Sequence, residues 1–165
     1  MPFKKNMFAI PIRKQIRNHS VALVSIFIAV TSLAYNTWRN ETTEHQRNIR
    51  HSAFRVLESL GELQEIVDAR YYYLPFEQGQ VSEGPSRIRG FGTVAMVRDL
   101  MYLMPPPASG AGAELHRLWL DHFVNLHLLD REGKHLASAT LAEKTLSEAI
   151  KQARKSVLEV LVKLD

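Results

Sequence analysis

The sequence predicts an all-α protein in which an N-terminal transmembrane helix continues into an antiparallel four-helix bundle. Three observations predict it. Residues 18–38 contain no Asp, Glu, Lys or Arg and are mostly apolar. Beyond them, apolar residues recur at helical rather than alternating spacing. Three clusters of proline, glycine and small polar residues divide that region into four amphipathic pieces, the pattern of helices packed side by side through short connections.

Residues 1–18 form a basic arm. Lys4, Lys5, Arg13, Lys14 and Arg17 stand there with no acid, whereas residues 39–165 hold 16 Lys+Arg against all 17 Asp+Glu, a net charge of −1. The pI near 9.5 therefore comes from the arm and not from a basic face on a folded domain, so nucleic acid is not an expected partner. Phe3, Met7, Phe8, Ile10, Ile12 and Ile16 are interspersed with these cations. The arm is either laid on a lipid surface or a disordered basic tail.

Residues 19–38 read as a transmembrane signal anchor. At 1.5 Å per residue the uncharged run spans roughly 30 Å, the thickness of a bilayer's hydrocarbon core. Tyr35 and Trp38 stand at its C-terminal end, where amphipathic rings favour the headgroup layer. The lipid bilayer is thus the first expected partner. A cleaved secretory signal is the competing reading, with Ser32-Leu33-Ala34 as the small-x-small site. The run continues past that site to Trp38, which favours an uncleaved anchor. Five Lys/Arg precede the span, and Arg39, Arg47, Arg50 and Arg55 follow it. The first five are unopposed by acid and the arm is short. The expectation is therefore a bacterial inner-membrane, single-pass protein with a cytoplasmic N-terminus and a periplasmic domain.

Residues 39–48 form a polar stalk, Arg39-Asn40-Glu41-Thr42-Thr43-Glu44-His45-Gln46-Arg47-Asn48. A helix polar on every side cannot be held by an apolar core; it is a solvated stalk or a surface for a partner. Residues 49–165 form the bundle. Ile49, Ala53, Val56, Leu60, Leu63 and Val67 follow heptad spacing, as do Leu146, Ile150, Ala153, Val157, Val160 and Leu164. Two shorter helices are expected between them, one from about Ser86 to Met104 and one from about Ala113 to Leu129. The breaks are Leu74-Pro75 through Gly84-Pro85, Met104-Pro105-Pro106-Pro107 through Gly112, and the tight turn Asp130-Arg131-Glu132-Gly133. From Arg39 to Tyr73 a helix measures roughly 50 Å and the third only roughly 25 Å, so the first outruns its partners. These narrow seams suit a bundle or a homodimer equally well.

The absence of cysteine excludes disulfides, thiolate catalysis and Cys-based zinc sites. His116, His122 and His127 fall within one expected helix at spacings of 6 and 5, where a helical chelate wants 3 or 4. Glu62, Glu65 and Asp68 read as a solvated flank. Neither a Gly-x-Ser-x-Gly nor a Gly-rich phosphate loop is present. No catalytic, metal or cofactor-binding residue is expected. Arg87 and Arg89, near an expected helix start, are candidates for contact with a carboxylate or phosphate. Tyr72, within Tyr71-Tyr72-Tyr73, either lines a crevice beside them or plugs the end of the bundle.

Two stretches carry resemblances. Leu128-Leu129-Asp130-Arg131-Glu132-Gly133-Lys134-His135-Leu136-Ala137-Ser138 resembles the strand-turn-strand of extracellular sensor domains of the PAS/Cache kind. Those domains need more strands than this chain offers, so a helix–turn–helix is expected there instead. Ser32 to Glu41, with Arg47-Asn48-Ile49-Arg50 and Leu60-Gly61-Glu62-Leu63-Gln64, resembles a group of uncharacterised single-pass inner-membrane proteins of proteobacteria. The resemblance covers about a third of the chain and implies location and topology, with no catalytic residue to transfer. Asn36, Arg39 and Asn40 are polar groups just outside the bilayer and mark either a partner surface or simple interfacial anchoring. The expected function is non-enzymatic protein interaction or assembly, through a membrane protein partner or a homodimer. Two alternatives stay open: a small-ligand sensory input module that needs a separate output partner, and an enzyme or metal carrier whose histidines meet only in the fold.

Overall fold

The computed structural model describes residues 20–73 and 83–164. The basic arm and most of the first expected break lie outside them. The described residues are all-α, with four α-helices and no strand. We number them α1 (Ser20–Asp68), α2 (Glu83–Tyr102), α3 (Ala108–His122) and α4 (Ala137–Val162). A π-helical turn, Ala69–Tyr73, follows α1, and a 3-10 turn, Phe123–Asn125, follows α3. The chain divides into two compact units, Met1–His45 and Gln46–Asp165.

In the first unit every described residue is helical and exposed. Its apolar window has a mean hydropathy of 1.6 and none of it is buried, so by length and composition it suffices to cross a membrane. Two of its hydroxyls bond back within the helix. Ser25 Oγ donates to the Val21 carbonyl (2.9 Å) and Thr31 Oγ1 to that of Phe27 (2.8 Å). Such back-bonding removes the cost of presenting a hydroxyl to an apolar medium. Near the end of this window the rings of Tyr35 and Trp38 lie 6.3 Å apart.

The second unit has a single apolar core. All six residues of the first seam are buried, as are Leu146, Ile150, Ala153, Val157 and Val160 of the last; Leu164 packs against the core partly buried. Ser59 and Ile66 are buried beside the first seam, which widens it from a coiled-coil stripe to the broader face of a globular helix. Val94, Val97, Met101 and Met104 bring in α2 and its end, and Leu115, Trp119, Phe123 and Leu126 bring in α3 and the turn after it. Three side-chain hydrogen bonds join the first segment to the last. Arg50 Nη2 donates to the Leu164 carbonyl (3.0 Å), Gln64 Nε2 to Ser147 Oγ (2.9 Å), and the hydroxyls of Tyr71 and Thr140 lie 3.1 Å apart. Along the three, residue numbers rise on one segment as they fall on the other.

Helix boundaries differ from expectation in three places. Helix α2 begins at Glu83, so Gly84-Pro85 belongs to its first turn, where a proline's missing N–H leaves no helical bond unmade. Helix α3 begins at Ala108, five residues before the expected start, and runs through two glycines. Gly112 sits at a close approach to the preceding helix. A Cβ on Gly112 would lie 2.8 Å from Met101 Cβ, and one on Gly90 would lie 2.8 Å from Trp119 Cζ2. These glycines let α2 and α3 approach each other, and tertiary contact outweighs their poor helix propensity.

The third difference is the expected helix–turn–helix. Helix α3 stops at His122, and Leu128 to Leu136 form a small hairpin with one antiparallel bridge, Leu129 to His135. The Leu136 N–H donates to the Leu128 carbonyl (3.0 Å) and the Asp130 N–H to that of Lys134 (2.8 Å). Asp130 Oδ1 accepts from the N–H groups of Glu132 (2.8 Å) and Lys134 (2.9 Å), and Gly133 has φ 78°. An Asp that bonds its own downstream backbone and a glycine in the left-handed region offer the chain a better local solution than helix. The strand-turn-strand likeness is thus realised as a turn with one bridge, without a sheet.

Two glycine substitutions of opposite sign test the packing of α2 on α3. Gly112→Ala pushes against Met101 and should lower stability by about 1–3 kcal/mol. Gly110→Ala meets nothing within 4 Å and should raise it by up to about 1 kcal/mol. Thermal melting followed by near-ultraviolet circular dichroism distinguishes them; equal shifts would refute the close-approach account.

Candidate functional site

The polar cluster built most deeply into the second unit centres on Arg70, which is only 2% exposed. It falls where the first seam would next place an apolar residue, three positions after Val67. The π-helical turn Ala69–Tyr73 carries it there, and such turns are frequent where a helix must re-aim side chains for function. Burying an unpaired guanidinium costs several kcal/mol. Here Nη1 donates to Ser86 Oγ at 3.2 Å, and Nη2 lies 3.0 Å from His127 Nδ1. The guanidinium carbon stands 4.5 Å from the centroid of the Phe123 ring, a cation–π contact.

This geometry fixes the chemistry of His127. Arginine has only donors, so Nδ1 is the acceptor in this contact. One cation thus gathers the end of the first segment, the start of α2 and the turn after α3. Behind it, Phe123 stacks on Trp119 (centroids 4.8 Å, 20°) and receives the edge of Phe91 (5.3 Å, 82°).

The adjacent Tyr71 pins the hairpin. Its ring stacks on His135 at 4.0 Å and 14°, and its hydroxyl meets Thr140. Tyr72 is 54% exposed and packs against the Tyr71 ring edge-on at 4.8 Å. The negative charge of Glu143, followed by partial desolvation, raises the Tyr72 hydroxyl above its ordinary pKa. Tyr71 therefore closes the end of the core, whereas Tyr72 and Tyr73 face outward.

Arg87 and Arg89 are both exposed on the first half of α2. Arg89 lies 3.7 Å from Glu62, and the Arg87 guanidinium stands 5.9 Å from the Phe91 centroid. Residues two apart point to different sides of a helix, so this backbone does not converge them on one anion. Asn36, Arg39 and Asn40 are exposed in the first unit, and the Arg39 carbonyl accepts from Thr43 Oγ1 (2.9 Å). His116 and His122 belong to α3, but His127 lies beyond it in the turn that holds Arg70. Glu62 pairs across to α2, and Asp68 accepts from Gln64 Nε2 at 2.8 Å; of that flank only Glu65 is a plainly exposed acid. Among the described residues no group of three or more His, Asp or Glu side chains is placed to hold a metal ion. Arg70 drew no notice in the sequence, although the seam continued by three residues lands on it.

No protein family matches the chain, and no curated protein or solved structure is detectably similar to it.

The cluster predicts a graded response to substitution. His127→Ala removes an acceptor from a buried cation and should cost about 1.5–3 kcal/mol. Arg70→Met replaces the cation with an apolar chain of similar length and should be neutral or stabilising, as replacement of buried ionic groups often is. Chemical denaturation of the full chain measures both. A large loss from Arg70→Met would mean that the charge itself is needed.

Proposed function

We propose that this is a bitopic inner-membrane protein of a bacterium that works through protein contact and not by catalysis. The observation that carries the reading is the apolar window of α1. It is uncharged, fully exposed, and adjoins a unit with a core of its own. In water such a surface is costly at about 25 cal/mol per Å², and a bilayer removes the cost. Internally bonded Ser25 and Thr31 hydroxyls and the Tyr35–Trp38 pair suit that medium. The five cations of the arm favour a cytoplasmic N-terminus and hence a periplasmic domain. The resemblance to single-pass proteobacterial inner-membrane proteins points the same way.

We read the periplasmic part as an antiparallel four-helix bundle. The opposed numbering of the pairs Arg50–Leu164, Gln64–Ser147 and Tyr71–Thr140 supports this, as do the pairs Glu62–Arg89 and Arg70–Ser86. Between span and bundle, residues 39–45 are helical and exposed on every side. With Asn36 they offer a polar surface for a membrane protein partner or for a second copy.

A cysteine-free chain lends itself to a topology test. A single cysteine at Lys155→Cys should react with a membrane-impermeant maleimide in cells whose outer membrane is opened, and one at Lys4→Cys only after lysis. The reverse pattern would invert the orientation. Ile26→Arg with Val30→Arg should release the chain from membranes, because each central charge costs roughly 2.5–3.5 kcal/mol. Retention of the double variant through carbonate extraction would sink the span, and a mature chain beginning after Ala34 would make the segment a cleaved signal.

For the interaction surface, a photo-reactive residue at Glu44 should yield a discrete adduct in cells. Replacing Asn36, Arg39 and Asn40 with alanine should abolish the adduct without moving the melting temperature of the second unit. Persistence of the adduct in the triple variant would remove these residues from the surface.

A further inference from the structure

The two ends of the second unit differ in charge. One end carries the turn Asp130-Arg131-Glu132-Gly133-Lys134, whose four charged residues are all exposed. Tyr72, exposed near that end, stands in the field of Glu143 and Asp68. The other end carries the turn between α2 and α3. That turn lies within residues 100–113, which contain no Asp, Glu, Lys or Arg and form the longest such run after residue 38. Met101, Met104 and Ala108 of the run are buried, whereas Tyr102 is 78% and Leu103 66% exposed. Pro105, Pro106 and Pro107 are exposed beside them, and Val162, at the end of α4, is 75% exposed.

This is also the end at which the chain enters. Arg50 holds the Leu164 carbonyl, two residues beyond Val162. From the Glu62–Arg89 pair, 13 residues of α2 lead to Tyr102, and 13 residues of the first segment lead back to Ile49. Each stretch is about 20 Å of helix, so in an antiparallel bundle Tyr102 comes level with Ile49. Only residues 39–45 separate Trp38 from the second unit. Even fully extended they reach no more than about 25 Å. A bilayer that takes the apolar window of α1 therefore lies within reach of this end, at the high effective concentration that a short tether gives.

Charge does not select the occupant, because Glu44 and Glu159 stand toward this end as well as Arg47 and Lys163. Area and composition do. Six exposed apolar side chains are few beside the roughly 20–30 residues a side of a stable protein interface. A membrane surface needs no such minimum where a span already anchors the chain. Tyrosine is favoured at the headgroup level, and leucine and valine at the acyl boundary below it.

We propose that this end of the second unit docks on the bilayer surface, with Tyr102, Leu103 and Val162 entering the headgroup layer through apolar contact. The inference rests on the reading of α1 as a span and of the second unit as an antiparallel bundle, and adds to it a second, peripheral membrane contact.

The test places single nitroxides on the full chain in phosphatidylcholine nanodiscs. It compares collision with oxygen, which concentrates in lipid, against collision with a water-soluble nickel chelate. Ile28→Cys reports on the span and Lys134→Cys on the charged turn. A nitroxide at Leu103→Cys should prefer oxygen, as at position 28, while one at position 134 prefers nickel. Tyr102→Glu with Val162→Glu changes two exposed positions. It should shift the label at 103 several-fold toward nickel and leave both the label at 28 and the melting temperature of the unit unchanged. High salt should not release the turn, since screening acts on charges. A nickel preference at 103 together with an oxygen preference at 28 would overturn the docking and leave the span standing. A nickel preference at 28 would remove the span and this inference with it. Shielding of position 103 from both reagents, with dipolar broadening that unlabelled chain dilutes away, would assign the surface to a second copy and overturn the lipid contact. Indifference of the label at 103 to the two glutamates would overturn it as well.

Discussion

The second unit is arranged around a cation placed where its core would otherwise be apolar. Arg70 ends the first seam, and the guanidinium reaches Ser86, His127 and the face of Phe123 at once. These partners belong to three different parts of the chain, so the contact sets how the first segment, α2 and the turn after α3 meet. A buried charge is a weak source of net stability but a strict geometric constraint, because any rearrangement that strands it is expensive. The aromatic stack Trp119–Phe123–Phe91 rests against this cation. The close approach at Gly90 extends the constraint to the helix interface, where Trp119 fills the space a Cβ would need.

How much of this was legible depended on the range over which each feature is decided. Periodicity is local, and it located the buried faces of the first and last helices: the seam from Ile49 to Val67 and the one from Leu146 to Val160 lie in the core. Helix starts were less legible where a long-range contact decides them. Gly110 and Gly112 read as breakers, yet both are helical, and Met101 occupies the space a Cβ on Gly112 would need. The hairpin at Asp130–Gly133 was legible as a turn. Its extended arms were not, because apolar Leu128 and Leu129 fit a continuing helix as readily as a bridge. The candidate site was the least legible. Arg87, Arg89 and Tyr72 are exposed, while the buried polar centre grew around an arginine that composition gives no reason to place in a core.

The two units illustrate opposite uses of apolar residues. In the second, leucines and valines are withdrawn from solvent by one another. In the first, Val21, Phe27, Leu33 and their neighbours stay exposed along the helix, and only the surroundings can satisfy them. Polar groups follow the same division. The Ser25 and Thr31 hydroxyls in the apolar window bond back to their own helix, whereas Ser86, Thr140 and Ser147 of the second unit tie separate segments together.

The hydrogen bond from Arg50 to the Leu164 carbonyl (3.0 Å) has a mechanical consequence. The second unit is entered near residue 46 and left near residue 164, and this contact holds its two ends together. A load applied between these ends would act across the first segment and α4 at that point and peel them apart one contact at a time, from Arg50–Leu164 toward Gln64–Ser147 and then Tyr71–Thr140. Peeling demands far less force than sliding two helices past each other, so the unit would yield under modest tension. It would yield from that end first, and the Arg70 cluster, beside Tyr71, would be among the last contacts to open.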